Sequence, residues 1–151
     1  MSHRYFTVLI ILMLFSVQCA REPSEIDMLL NLPMKEQEEN FKKFPLSKQV
    51  DVYIRAMYVE PPQTRYADYL ASNGKEVLRF LIDRLKQEKS DTAKAFLFFA
   101  FEVMHEKYYS LSSEKEVLES LKTTSIGMSD NYRRKQAEGY LKTILEQPGA
   151  Q

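Results

Sequence analysis

The chain reads as an all-α protein built of stacked antiparallel helix pairs, and three features of its 151 residues lead there. Apolar residues recur at helical spacing through most of the chain, and the prolines fall between the periodic stretches. A block of sequence also returns after 40 residues, which is the mark of a repeated structural unit.

Taken in order, Pro23 and Pro33 leave room for at most one short helix, around Glu25 to Leu30. Met34 to Lys43 is dense in Glu, Gln and Lys and reads as a helix, and the phrase Leu32-Pro33-Met34-Lys35-Glu36-Gln37 is echoed by Phe44-Pro45-Leu46-Ser47-Lys48-Gln49. Each proline falls where a first helical turn tolerates it. Val50, Ile54, Met57 and Tyr58 then mark an amphipathic helix that Pro61-Pro62 stops, because proline lacks an amide hydrogen and restricts its predecessor. A short helix from Arg65 to Ser72 follows, closed by Asn73-Gly74.

Lys75-Glu76-Val77-Leu78 returns as Lys115-Glu116-Val117-Leu118, and Leu81 as Leu121. In the first unit Val77, Leu78, Leu81, Ile82 and Leu85 form an apolar stripe, Lys86 to Asp91 makes the turn, and Ala95 to Met104 forms the second helix. Phe96, Leu97, Phe98, Phe99, Phe101, Val103 and Met104 leave that helix almost no polar face, so it belongs at the centre of the core. In the second unit the stripe is Val117, Leu118 and Leu121, with Ser113 and Glu116 spaced as a capping box. Gly127 to Asp130 makes the turn, and Ala137, Tyr140, Leu141, Ile144 and Leu145 mark a closing helix. Its remaining positions, Arg133, Arg134, Lys135, Gln136, Glu138 and Lys142, suit a solvated outer layer. Two helices per unit at this period resemble HEAT-type repeats over residues 74–147, and more loosely over 33–72. That resemblance implies either a short α-solenoid or an irregular helical bundle, with an extended surface for partners.

The chain begins differently. His3 and Arg4 precede an apolar run from Tyr5 to Phe15, which has the pattern of a secretory signal peptide and is too short to span a membrane. The run ends at Cys19, the single cysteine, followed by the polar stretch Arg21 to Glu25. This arrangement resembles a bacterial lipoprotein signal, with Ser16 and Gln18 where that family usually has an aliphatic and a small residue. The resemblance implies that Cys19 becomes the lipidated first residue, that acyl chains hold the protein at a membrane facing the periplasm or cell surface, and that Ala20 directs it to an outer membrane where one exists. The alternative is ordinary signal-peptidase cleavage nearby, which discards Cys19 and frees the protein into the periplasm or medium. The expected organisation is therefore a signal peptide over 1–18, a lipidated N-terminus and tether over 19–32, one helical domain over 33–147 and a tail over 148–151. With no cysteine after position 19, the body has no internal disulfide, and packing must supply its stability.

The 21 Lys and Arg balance the 21 Asp and Glu. The first 18 residues hold one of the bases, Arg4, and no acid, so the exported chain carries 20 against 21. These charges are mixed along the length, whereas a nucleic-acid binder shows a clustered basic excess, so no nucleic-acid partner is expected.

Few residues suggest chemistry. Glu102 and His105 have the Glu-x-x-His spacing that di-iron bundles use twice, but it occurs once here, and His105 is the only histidine after the export signal. A partly exposed, hydrogen-bonded histidine near a helix end is the reading preferred to a metal ligand or general base. Neither a Gly-x-Ser-x-Gly elbow nor a glycine-rich phosphate loop is present, and no cofactor is implied. The segment Pro61 to Tyr69, with Pro61 and Pro62 in the loop, is the candidate binding stretch, and Arg65, Tyr66 and Tyr69 are its candidate protein-binding residues, since Tyr and Arg dominate interaction hot spots. The alternative is that Tyr66 and Tyr69 cover the end of the core, and Tyr108 and Tyr109 beside Lys107 pose the same choice. The expected function is a non-catalytic protein-binding or assembly component of the bacterial envelope whose partner is another envelope protein. A helical enzyme using Glu102 and His105 with neighbouring carboxylates, or a periplasmic inhibitor or immunity-type protein, are the alternatives.

Overall fold

The computed structural model describes residues 24–150; the expected export signal and Cys19 lie outside the described residues. Those described form eight helices and no strand: α1 (Glu25–Leu30), α2 (Met34–Phe41), α3 (Leu46–Met57), α4 (Arg65–Ala71), α5 (Lys75–Gln87), α6 (Asp91–Lys107), α7 (Lys115–Gly127) and α8 (Asn131–Glu146). Helices α3, α5 and α7 pack side by side in one row, and α4, α6 and α8 in a second row. Sequence neighbours α3/α4, α5/α6 and α7/α8 pair across the rows. The chain is a stack of helix pairs, as the apolar periodicity implies.

The 40-residue displacement is repeated in the backbone. Helices α5 and α7 both run 13 residues, and each is followed by an extended residue of nearly identical conformation, Glu88 at φ −71, ψ 131 and Met128 at φ −72, ψ 132. The partner helices then start on side-chain caps at matching positions: Ser90 Oγ accepts the Ala93 amide, and Asp130 Oδ1 accepts those of Tyr132 and Arg133. An Asp, Ser or Thr in this role satisfies amides that the first turn leaves without partners.

Helix α6 occupies the centre, against α3, α4, α5 and α8. Leu97, Phe98, Phe101 and Met104 are wholly buried, and removing each such side chain from water contributes about 1.5–3 kcal/mol. The helix starts four residues before the expected Ala95 and ends three beyond Met104, because Ser90 and Asp91 secure its first turn. Asp91 also fastens one pair to the next. Its Oδ2 accepts the amides of Ser129 (2.7 Å) and Asp130 (2.9 Å) and the Ser129 hydroxyl (2.9 Å), while Oδ1 accepts Lys94 (3.0 Å). The amide of Asp130 and the Lys94 ammonium foremost hold the Asp91 carboxyl well below the usual range.

The echoed phrase at 32–37 and 44–49 is a structural device. Pro33 and Pro45 stand just outside α2 and α3 with almost the same backbone angles. In both, the glutamine five residues past the phrase's first position folds back, so that Gln37 Nε2 donates to the Leu32 carbonyl (2.6 Å) and Gln49 Nε2 to that of Phe44 (2.9 Å). Both glutamines are buried, and their side-chain oxygens are used as well: Gln37 accepts the Tyr66 hydroxyl and Gln49 accepts Asn73. Gly74 has φ 56, which fits the turn expected at Asn73-Gly74.

Several expectations are corrected. The capping box does not form: Glu114 rather than Ser113 precedes α7 and its side chain caps nothing, because its carboxylate instead accepts the Tyr109 hydroxyl and pairs with Lys75 at 3.0 Å. Tyr58 and Leu145, placed in apolar stripes by spacing, are exposed at helix ends. Over its described part, residues 24–32, the segment expected as a tether contains the short helix expected around Glu25 to Leu30. From Ser24 the chain is docked, with Leu29 buried, α1 packed on α2 and α3, and Asp27 paired to Arg55 at 3.0 Å. The tail is docked over its described part too, since the Ala150 amide donates to the His105 carbonyl at 2.7 Å.

Candidate functional site

The sequence candidates Arg65, Tyr66 and Tyr69 lie on α4, and the packing of that helix against α3 and α6 decides their role. Tyr66 is 0% exposed, donates to Gln37 at 3.0 Å, and has its phenol pushed up to about 12 by burial. Phe41 meets Tyr66 edge-on at 5.3 Å, and Tyr69 packs at 5.9 Å from Phe41 and 5.5 Å from Tyr66. Arg65 donates to Gln63 at 2.7 Å and to Gln37, while its buried Nε has no partner. This cluster closes the core beneath α1 and α2. Tyr66 is therefore corrected from a contact residue to a core residue, since no partner reaches a side chain with no exposed surface.

His105 is corrected likewise. Instead of lying half-exposed at a helix end it is wholly buried, because the C-terminal tail and the α6–α7 loop close over it. Nδ1 accepts the Leu111 amide at 3.1 Å, and Nε2 lies 3.0 Å from the Gln147 carbonyl. Only the neutral tautomer with its proton on Nε2 satisfies both contacts, and then neither nitrogen has a lone pair free for a metal or a substrate proton. Glu102 is half-buried, is raised above its usual range mainly by desolvation, and makes no hydrogen bond with His105, whose two ring nitrogens are already engaged. The two residues do not form a shared site. Lys107 and Tyr108 both reach Asp68, at 2.8 and 3.3 Å, tying α6 to α4.

The structure instead brings together Met57, Tyr58, Phe96, Phe99 and Tyr140, which spacing places in apolar stripes or the core, Arg133 and Gln136 of the expected outer layer, and Pro62 and Thr64 from the candidate segment Pro61 to Tyr69. A cleft of about 690 Å³ opens between the α3–α4 loop and α8, floored by α6. From α3 and the loop come Met57, Tyr58, Val59, Glu60, Pro62 and Thr64; from α6, Thr92, Phe96 and Phe99; from α8, Arg133, Gln136 and Tyr140. The Glu60–Pro61 peptide in this loop is cis.

The aromatic rings form two pairs along the cleft. Tyr58 stands edge-on to Phe96 at 5.2 Å, and Phe99 is tilted against Tyr140 at 5.6 Å. Phe96 and Phe99 are three residues apart and so share one helical face, and each is only half-buried. The α8 wall is a hydrogen-bonded row: Arg133 Nη1 donates to Gln136 Oε1 at 3.0 Å, and Gln136 Nε2 donates to the Tyr140 hydroxyl at 3.1 Å. Burial chiefly, offset by the Gln136 bond, pushes the Tyr140 phenol up, so it keeps its proton.

Periodicity could have raised the suspicion that α6 has too many aromatics for one buried face. It could not show that Phe96 and Phe99 line a cleft between α8 and the α3–α4 loop. Compared with known proteins, the chain matches no family model, no curated protein and no solved structure.

Proposed function

We propose that the protein is an exported, non-catalytic binding or assembly component of the bacterial cell envelope, held to a membrane by lipid on Cys19, and that it takes a segment of another envelope protein in the α3–α4/α6/α8 cleft. The cleft is the observation that supports this reading. It joins half-exposed aromatic surface to a polar row containing Arg133 and Tyr140, the mixture of large contact area and polar handles from which protein-binding hot spots are made. Arg133 has no carboxylate partner among the described residues, although its guanidinium lies 5.3 Å from the Tyr132 ring centre. The partner segment therefore carries apolar side chains together with an acidic group.

The export signal and the cysteine at its end support the location. Each acyl CH₂ buried in a bilayer contributes about 0.8 kcal/mol, so two or three chains suffice to anchor a domain without a membrane-spanning helix. Among the described residues no helix is long and apolar enough to cross a membrane.

A benzophenone side chain placed at Tyr58, in the cleft, tests the reading against the same group at Tyr108, whose exposure is similar but which lies outside it. Irradiation of native cells is expected to give one discrete adduct from position 58 and none in common from position 108. Absence of any adduct from 58, or the same adducts from both, would defeat the reading.

A further inference from the structure

The chemistry of the cleft specifies more than an apolar segment. Arg133 offers five N–H donors, of which Gln136 takes one, and no acid lies within ion-pair distance of the rest among the described residues. The Tyr140 hydroxyl accepts from Gln136 and retains its own proton as a donor with no protein acceptor among the described residues. These two donors flank Gln136 on the wall of a cleft whose floor is Phe96 and Phe99. Glu60, on the loop wall, makes no ion pair with Arg133.

We propose that the cleft is a carboxylate-reading subsite: Arg133, with the Tyr140 hydroxyl, binds the C-terminal carboxylate of the partner segment, while the adjacent aromatic or aliphatic side chain lies on Phe96 and Phe99. This rests on the proposed function and names the chemistry of its occupant. A guanidinium matches a carboxylate with two parallel hydrogen bonds, which are shorter and stronger than neutral ones. Gln136 is the group the carboxylate displaces, since its side-chain oxygen already holds the guanidinium where a carboxylate oxygen would. Glu60 fixes the polarity, because a second acid placed at the loop end of the cleft would meet a like charge there. The segment thus lies with its acid toward α8 and its neutral or basic end toward the loop.

The test uses the full chain and two small probes that differ only in the charged group, N-acetyl-phenylalanine and its C-terminal amide, titrated by ligand-observed NMR. Wild type is expected to bind the acid about tenfold more tightly than the amide, which corresponds to about 1.4 kcal/mol. Arg133→Gln should bring the acid down to the affinity of the amide, Tyr140→Phe should remove part of the difference, and Phe99→Ala should weaken both probes together. Equal binding of acid and amide by wild type, or an acid preference that survives Arg133→Gln, overturns the proposal. Circular dichroism of Arg133→Gln, whose side chain is half-buried, verifies that the helices are intact. If position 58 crosslinks a partner but no acid preference is found, the inference alone fails; if the preference is found without a crosslinked partner, the proposed function fails and the subsite stands.

Discussion

At the residue scale, single buried or multiply bonded polar groups hold this fold at the places where chain segments meet. Asp91 accepts three hydrogen bonds that join α6 to the α7–α8 turn and a fourth from Lys94 on its own helix, and bonds to a charged acceptor contribute about 1.5–3 kcal/mol each when the alternative is an unmet donor. Asp91→Ala is expected to destabilise the protein by about 2 kcal/mol in urea unfolding, with the mobility change confined to 128–131 in hydrogen exchange. Because the folded carboxyl sits below its unfolded value, its stabilisation is complete above the ordinary carboxylate range and is lost as pH falls through that range toward the depressed folded value. Wild type should therefore lose stability on acidification more steeply than Asp91→Asn. His105 does similar work at the other end of α6. A Cβ added at Gly149 would lie 2.4 Å from Ser110 Oγ and 2.7 Å from His105 Cε1, so Gly149→Ala should release the tail. His105→Ala, which leaves the Leu111 amide and Gln147 carbonyl unmatched, should cost about 2–4 kcal/mol. Equal stability of either variant with wild type would refute this reading of the tail. These roles were not legible in the sequence, since nothing local to His105 or Asp91 reveals a partner 42 or 39 residues away.

At the scale of elements, helix starts divide into those whose cap is real and those whose cap is only a pattern. Ser90 accepts the Ala93 amide, so Ser90→Ala should cost about 1 kcal/mol. Ser113 occupies an equally plausible position by sequence but caps nothing, so Ser113→Ala should leave the thermal midpoint unchanged within about a degree. The difference arises because the carboxylate of Glu114 is drawn to Lys75 and Tyr109, two side chains that sequence proximity does not supply. The reverse case is the Pro-to-Gln phrase. Its repetition was visible at once, whereas its meaning required seeing Gln37 and Gln49 bend back to the carbonyl before each proline and reach forward to α4 and the turn after it. Gln37→Leu keeps the volume but strands the Tyr66 hydroxyl and two carbonyls, and a loss of about 2–3 kcal/mol is expected by denaturant titration. The 40-residue displacement was the most legible feature of all, because it preserves helix length, the C-terminal turn and the start of the partner helix together.

At the scale of the whole molecule, pairs stacked in two rows make a central helix covered on several sides, and α6 has the composition for that place. Apolar periodicity reads out rows and pairs, but it treats every aromatic on α6 alike. It does not show that Phe96 and Phe99 remain partly exposed in a cleft shared with Arg133 and Tyr140 of α8 and with the α3–α4 loop. The cleft is thus a property of the stack and not of any segment. The boundary of the folded unit is also a global property: α1 was legible as a helix, but its burial of Leu29 against the following helices was not. Docking from Ser24 onward places the folded body within five residues of Cys19, a reach of about 18 Å at full extension. A lipid on that cysteine would therefore hold the stack close to a membrane and limit its partners to proteins presented there. The most direct test is the intact mass and membrane fractionation of the native protein beside Cys19→Ser. Acyl mass on a chain beginning at residue 19, with wild type sedimenting with membranes and the variant not, is the expected result; a soluble mature protein that begins after Cys19 would contradict it.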